Sequence, residues 1–112
     1  MRALSIRQPY AEMIMKGKKK IEYRSRSTKI RERVYIYASL TPGYEEAWAD
    51  MKMSPGDLPT GVLIGTVEIV NCTGKKDKYE WHLAKPIRAK RMIKPKRQPQ
   101  PAWFYPFSSP ND

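Results

Sequence analysis

The stretch Gly17-Lys18-Lys19-Lys20-Ile21-Glu22-Tyr23-Arg24 joins a helix stop, a cluster of lysines and the start of an alternating strand. Ile21 and Tyr23 alternate with charged residues, which is the period of two of a strand with one buried face. Glu22 and Arg24 therefore point to the same side of that strand. A carboxylate beside a guanidinium there indicates either the wall of a polar pocket or an ordinary solvated ion pair.

The residues before this stretch predict a short helix. An apolar stripe at helical spacing runs through residues 11–15, Pro9 suits the first helical turn, and Gly17 suits a left-handed C-terminal cap. Glu12 and Lys16 are expected on the exposed face as a favourable i, i+4 pair. The strand with Glu22 and Arg24 therefore follows directly after a helix.

The rest of the chain is mostly strand-like. Strands are expected over residues 2–6, 33–39, 62–70, 79–83 and 103–105. A second helix is expected over residues 44–53, a polar loop over 71–78, and an extended basic segment over 88–101. Gly65 within a strand indicates a bend or a close backbone approach.

These elements predict an α+β fold. Five to six strands and two or three helices, without regular βαβ alternation, favour a small closed or nearly closed β-barrel with flanking helices. We expect a single domain over residues 1–112, with the last few residues frayed.

Charge is the most informative feature of the composition. The net charge is +11, and the segment from Lys85 to Arg97 carries seven Lys or Arg and no acid. A second block, from Lys16 to Arg33, has nine cations against two carboxylates. Such asymmetry favours a polyanionic partner, nucleic acid first and an anionic membrane second, over a generally soluble surface or the lysine enrichment of a thermophile. The nucleic acid that we expect is RNA or single-stranded DNA.

Other classes of function are disfavoured. A single cysteine, Cys72, excludes an internal disulfide and a cysteine-based zinc site, and a single histidine, His82, disfavours a histidine-rich metal site. We therefore expect no metal and no cofactor. The sequence has neither an apolar run of membrane-spanning length nor a signal peptide, so we expect no membrane partner and a cytoplasmic location, or a nuclear one in a eukaryote.

Five stretches in order resemble the ASCH (activating signal cointegrator homology) family, which shares the PUA-like barrel fold. The family signature Gly-x-Lys-x-x-Glu-x-Arg is met by Gly17, Lys19, Glu22 and Arg24. The other matching stretches are the Gln-Pro-aromatic helix start in residues 4–11, the strand in 33–39, the Gly-x-x-x-Gly strand in 61–67 and the Pro-x-Trp in 101–103.

The resemblance implies a cleft between the barrel and the first helix, and RNA, DNA or modified-nucleoside ligands. The ligand-binding candidates are Arg7, Gln8, Tyr10, Lys19, Glu22, Arg24 and Ser39. From their chemistry, Lys19 and Arg24 suit phosphate or base-edge contacts, whereas Gln8 could read a base edge or cap the helix. Tyr79 and Trp81 could stack on a base, but alternating aromatic residues of a strand more often belong to the core.

The sequence leaves open whether the chain is a binding module or an enzyme. One branch of the family hydrolyses acetylated cytidine with a lysine and a threonine nucleophile. The lysine matches Lys19, but the nucleophile position carries Glu22, which can serve as a general base for water. The primary hypothesis is nucleic-acid or modified-nucleoside binding. The alternatives are a metal-independent hydrolase, a ribonuclease or nucleoside amidohydrolase using Lys19 and Glu22, and a protein-interaction adaptor.

Overall fold

A computed structural model describes residues 1–107, so the fraying expected for the last few residues lies outside the described part. Residues 1–107 form two helices, and neither is long and apolar enough to span a membrane. The elements in chain order are β1 (Ala3–Arg7), α1 (Tyr10–Met15), β2 (Ile21–Arg24), β3 (Arg33–Ser39), α2 (Glu45–Asp50), β4 (Val62–Lys75), β5 (Lys78–Ile93) and β6 (Trp103–Phe104). The predicted α+β class is confirmed.

The strands form one six-stranded sheet in the order β2-β5-β4-β3-β1-β6. β1 and β3 are parallel, with Arg7 opposite Ser39 at their carboxyl ends, and the other strand pairs are antiparallel. β3 lies inside the sheet, as its nearly continuous apolar sequence predicts. Because β1 and β3 run the same way, the loops that follow them emerge at the same end of the sheet.

Side chains close the gap between the two edges of the curled sheet. Within residues 1–107 no strand pairing joins β2 to β6. Instead, Trp81 of β5 stacks on Trp103 of β6, with ring centroids 5.6 Å apart and planes 10° apart. Arg24 of β2 donates from Nη2 to the carbonyl oxygen of Ser5 in β1 at 2.9 Å. We call Arg24, Trp81 and Trp103 the seam, and it makes the sheet the nearly closed barrel that was predicted.

The main core lies inside this curled sheet and beneath α1. Its buried members are Leu4, Ile6, Ala11, Ile14, Met15, Val34, Ile36, Ala38, Ile64, Val67, Ile69, Trp81 and Leu83. Gly65 allows the close packing that was predicted at its position. A Cβ atom there would collide with Met15 Sδ and with the backbone oxygen of Ile87. The β4–β5 register also shifts at this point. The glycine thus lets α1 and β5 pack tightly over β4.

The end of α1 follows the prediction and sets the position of Lys19. Gly17 has φ of +76°, its N–H donates to Ile14 O at 3.0 Å, and the N–H of Lys18 donates to Met13 O at 2.9 Å. This paired arrangement is the Schellman motif, which favours glycine because other residues are strained at positive φ. The chain therefore turns sharply after α1 and delivers the lysine cluster to the start of β2.

The exposed Glu12–Lys16 pair predicted from spacing is wrong. Glu12 is buried, and its two carboxylate oxygens accept from Arg88 Nη1 and Nη2 at 2.8 and 2.9 Å. Hydrogen bonding to Glu12 raises the pKa of Arg88, so this guanidinium stays charged. A bidentate guanidinium 76 positions away satisfies a buried carboxylate better than a solvated lysine on the same helix, and local spacing cannot reveal it.

The predicted loop over residues 71–78 and the short strands beside it are also wrong. β4 and β5 continue into a long hairpin whose two turn residues, Lys76 and Asp77, have φ of +50° and +68°. Two successive positive φ values give the turn that matches the twist of antiparallel strands. The second helix is shorter than expected, running from Glu45 to Asp50, and leaves Tyr44 outside its apolar stripe.

The apolar face of β2 is not the buried face that its sequence predicts. Tyr23 is 65% exposed and Ile21 is half-buried, whereas the side chains of Glu22 and Arg24 are only 12% and 23% exposed. The alternation itself is present, but the polar side faces the barrel seam and the cleft beside it. Opposite charges that satisfy each other can occupy such a partly buried wall, whereas a lone charge there would be costly.

Candidate functional site

A cleft of about 770 Å³ opens where the parallel strands β1 and β3 end. One wall is formed by Lys19 and the polar side of β2, and another by residues that end β3 and follow it. The lining residues are Ser5, Ile6, Arg7, Tyr10, Lys19, Glu22, Tyr23, Arg24, Tyr37, Ser39, Leu40, Thr41, Tyr44, Gln98, Pro99, Gln100 and Pro101. This volume is in the range of small-molecule sites, which commonly measure about 300–1,000 Å³.

Three charged side chains form a continuous cluster on the β2 wall. Lys19 Nζ lies 3.5 Å from Glu22 Oε1, and Arg24 contacts Glu22 Oε2 through both Nε and Nη2 at 2.8 Å. The Lys19 and Glu22 side chains are 14% and 12% exposed. One carboxylate thus holds a cation on each oxygen. Oε2 is contacted twice by Arg24, whereas Oε1 is contacted only by Lys19 and keeps a lone pair for a further hydrogen bond.

Lys19 is also held between aromatic rings. Its Nζ lies 5.6 Å from the Tyr10 ring centroid and 5.2 Å from that of Tyr23. Cation–π attraction at such distances stabilises an ammonium in a fixed place. The helix start supplies Tyr10, the helix stop supplies Lys19, and β2 supplies Tyr23, so the Gly17 turn brings the three together.

Arg7 and Ser39 also line the cleft, at the matched ends of β1 and β3. Arg7 is exposed, and neither side chain makes a hydrogen bond or ion pair within the described part of the chain. Both groups therefore remain available to a ligand.

Gln8 lies elsewhere, because it is fully buried beneath the cleft rather than on its surface. Its Oε1 accepts from the backbone N–H of Glu12 at 3.0 Å, and its Nε2 donates to Pro59 O at 3.0 Å. The first bond satisfies a donor of the first helical turn that has no partner within the helix. Gln8 thus ties the start of α1 to the loop before β4.

Several lining residues had no signal as site residues in the sequence. Tyr37 packs edge-on against Phe104, and burial raises the pKa of its phenol, so the group stays neutral in the cleft. Tyr44 is 71% exposed on the opposite rim. Its position just after Thr41-Pro42-Gly43, the turn that ends β3, was the one available sign that it faces the loops rather than the core.

A third wall comes from residues 98–101, which are distant in sequence from the other walls. Ser5 fixes this segment, since its backbone N–H donates to Ala102 O at 2.8 Å and its Oγ donates to Gln100 O at 2.9 Å. Two prolines there, Pro99 and Pro101, limit the conformations of the segment.

The β5 aromatic residues considered for base stacking, Tyr79 and Trp81, lie outside the cleft lining, as does His82. Trp81 is a buried seam residue whose Nε1 donates to Arg26 O at 2.9 Å. His82 Nε2 is 2.8 Å from Thr73 Oγ1, on the long hairpin. The core interpretation of Trp81 is therefore the one that its burial supports.

The cleft carries a net positive charge on a lining that is otherwise more apolar than polar. Its charged lining residues are Arg7, Lys19, Glu22 and Arg24, three cations and one anion, so the local charge is +2. Across residues 1–107 there is no group of three or more His, Cys, Asp or Glu that could hold a metal ion.

The protein-family model of the ASCH domain matches residues 4–106 of the sequence. The chain therefore belongs to the ASCH domain family. This match spans every described strand after the first residue of β1. The family is associated with RNA binding.

Two curated relatives are similar to the chain. It is 29% identical to activating signal cointegrator 1 from Homo sapiens in an alignment of 84 positions that covers 65% of this chain and 14% of that protein. It is 28% identical to activating signal cointegrator 1 from Mus musculus in an alignment of 88 positions that covers 69% of this chain and 15% of that protein. The similarity is thus confined to a small part of each relative.

Proposed function

We propose that this chain binds single-stranded RNA by taking a nucleotide into the cleft. The observation that carries the proposal is the Lys19–Glu22–Arg24 cluster, a partly buried and net-positive wall in a cleft of nucleotide size. The cations favour a phosphate, while the shared carboxylate can accept from a base amino group or a ribose hydroxyl. The association of the family with RNA favours RNA over single-stranded DNA.

The aromatic rim supports the same proposal. Tyr44 and Tyr23 are 71% and 65% exposed at the edges of the cleft. An exposed tyrosine offers a face for base stacking, which contributes about 1–3 kcal/mol per base in single-strand binders. The site thus combines cations for the backbone with rings for the bases.

Replacement of Lys19 by glutamine is expected to weaken RNA binding about tenfold, equivalent to about 1.4 kcal/mol, because a phosphate-facing charge is lost. Fluorescence anisotropy with a short labelled RNA over a series of salt concentrations measures the effect. The slope of log affinity against log salt should also fall by about 0.7 if one phosphate contact of a single strand is lost.

Lys75→Gln is the matched control, since Lys75 is exposed on the long hairpin outside the cleft and loses the same charge. Equal affinities of the Lys19 and Lys75 variants would contradict binding in the cleft. The same titration with single-stranded DNA of equal sequence tests the preference for ribose.

A hydrolase is the second candidate, supported by the 3.5 Å contact between Lys19 Nζ and Glu22 Oε1. Glu22 would take a proton from water as the water oxygen attacks the acyl carbon of an N-acylated nucleobase. Lys19 would protonate the departing nitrogen as the C–N bond breaks, and the proton on Glu22 would then return to Lys19. The products are a carboxylic acid and the free amino nucleoside.

Incubation with acetylated cytidine is expected to release free cytidine with the wild-type chain and not with Lys19→Gln, because glutamine cannot protonate the leaving nitrogen. Chromatographic separation of the two nucleosides measures the release. Equal release by both proteins, or none by the wild type, would remove this candidate and leave the binding proposal standing.

A further inference from the structure

A second group of cations lies outside the cleft, on the latter half of β5 and the segment after it. Residues 85–97 contain seven cations and no acid, and all seven are exposed. They are Lys85, Arg88, Lys90, Arg91, Lys94, Lys96 and Arg97. Such a density of like charge is destabilising for the isolated protein unless a counter-charge is supplied.

Some of these cations are satisfied within the fold. Arg88 is paired with Glu12, Lys85 Nζ lies 4.0 Å from Glu68 Oε2, and Arg97 Nε donates to Phe107 O. The other four form no ion pair with any of residues 1–107. They are Lys90, Arg91, Lys94 and Lys96, and we call them the cationic strand.

The sheet leaves this part of β5 open. β2 pairs with β5 through His82, and from Ala84 onward no described strand covers that edge. Ile87, Met92 and Ile93 are 57%, 52% and 47% exposed, so the strand is also solvated on its faces. Lysines on an open edge commonly discourage pairing with another strand. That role does not account for Lys94 and Lys96, which lie beyond the end of the strand.

The cationic strand leads directly to the cleft. The backbone N–H groups of Lys96 and Arg97 donate to Pro106 O at 2.8 and 3.0 Å, which fixes the segment against the chain near β6. The next residues, from Gln98 to Pro101, form the third wall of the cleft. Because an extended chain covers at most about 3.6 Å per residue, Lys94 lies within about 14 Å of Gln98.

We propose that the cationic strand is a second RNA-binding surface, which contacts the phosphodiester backbone of the strand that leaves the cleft. The inference rests on the proposed function and extends it from one nucleotide to a longer single-stranded segment. The cleft selects the ligand by its base and sugar, whereas Lys90, Arg91, Lys94 and Lys96 contact phosphates without regard to sequence.

The test compares the wild-type chain with a fourfold variant, Lys90→Gln, Arg91→Gln, Lys94→Gln and Lys96→Gln. For an RNA longer than the cleft, the salt slope should fall by up to about 2.8, about 0.7 for each phosphate contact of a single strand, and affinity should fall at least tenfold. Affinity for a mononucleotide, measured by competition, should remain within twofold of the wild type because the cleft is intact.

The control variant removes four exposed lysines elsewhere: Lys29→Gln, Lys52→Gln, Lys75→Gln and Lys76→Gln. It has the same net charge as the first variant, so it reports the effect of the overall field. Circular dichroism and thermal unfolding establish that both variants are folded. An equal loss of RNA affinity in the two variants, or an unchanged salt slope in the first, would overturn the proposal.

Two further measurements distinguish this proposal from the cleft proposal and from membrane binding. If Lys19→Gln leaves RNA binding unchanged while the fourfold variant weakens it, the cleft proposal fails and the cationic strand stands as an RNA surface. Vesicles containing phosphatidylserine test the other polyanion. Vesicle binding that depends on the cationic strand, together with RNA binding that does not, would assign the surface to a membrane and overturn the inference.

Discussion

Replacement of Trp81 by alanine should lower the free energy of unfolding by about 3–5 kcal/mol, the usual cost of removing a buried indole. Trp81 is 3% exposed and stacks on Trp103, so its loss leaves a void at the point where the two edges of the sheet meet. The variant also removes the donor to Arg26 O and the ring beneath Arg24, whose Cζ lies 5.5 Å from the Trp81 centroid. Urea unfolding followed by circular dichroism measures the change.

Phenylalanine substitutions at the two buried tryptophans, Trp81 and Trp48, separate the contribution of the hydrogen bond to stability from that of packing. Trp81→Phe loses the bond to Arg26 O, whereas Trp48 Nε1 is buried and makes no hydrogen bond to any residue in the range 1–107. We therefore expect Trp81→Phe to cost about 1 kcal/mol more than Trp48→Phe, the typical contribution of one hydrogen bond. If Trp81→Ala lowers the free energy of unfolding by less than about 1 kcal/mol, the seam contributes little to stability.

Replacement of Arg24 by methionine should cost about 3 kcal/mol of stability and disorder the cleft wall, because Glu22 loses both contacts to its Oε2 while its charge stays partly buried. Glu22 would keep only Lys19, at 3.5 Å, and the carbonyl of Ser5 would lose its donor from β2. The same measurement on Glu22→Gln and on the double variant completes a thermodynamic cycle. The double variant should be more stable than the sum of the single losses predicts.

Lys85→Met is the control for this second prediction. Lys85 Nζ also lies near a carboxylate, Glu68 Oε2 at 4.0 Å, but the two side chains are 74% and 34% exposed. Exposed pairs contribute about 0–1 kcal/mol, so this variant should remain close to the wild type. Similar losses at Lys85 and Arg24 would contradict the role given to the seam. Because Arg24 also supports the fold, Lys19 is the better residue for testing binding.

Local patterns in the sequence were sufficient to predict several structural elements. The Gly17 turn, the interior position of β3 and the closing strand at Trp103 each depend on features within a few residues, and each is confirmed. The same-side arrangement of Glu22 and Arg24 follows from strand alternation alone. The nearly closed barrel followed from the number and order of such elements.

Features that depend on distant partners were not predictable in this way. Glu12 was expected at the surface because its partner, Arg88, lies on a strand that only the folded sheet brings near α1. Likewise, the alternating pattern predicts Tyr23 on the buried side of β2, but Glu22 and Arg24 occupy that side in the folded protein. The third cleft wall, residues 98–101, was not predicted as part of the site, because its position depends on hydrogen bonds that Ser5, far away in sequence, donates to the carbonyl oxygens of Gln100 and Ala102.

The way in which Ser5 holds residues 98–101 has a consequence for synthesis on the ribosome. β1 leaves the exit tunnel before its partners, since β3 follows about 30 residues later and β6 and the third cleft wall about 100 residues later. The edge of β1 that pairs with β6 must therefore stay open until those residues are made. We expect the cleft to assemble after the rest of the sheet, so a nascent chain stalled before Gln98 would leave this edge unpaired and would lack the third cleft wall.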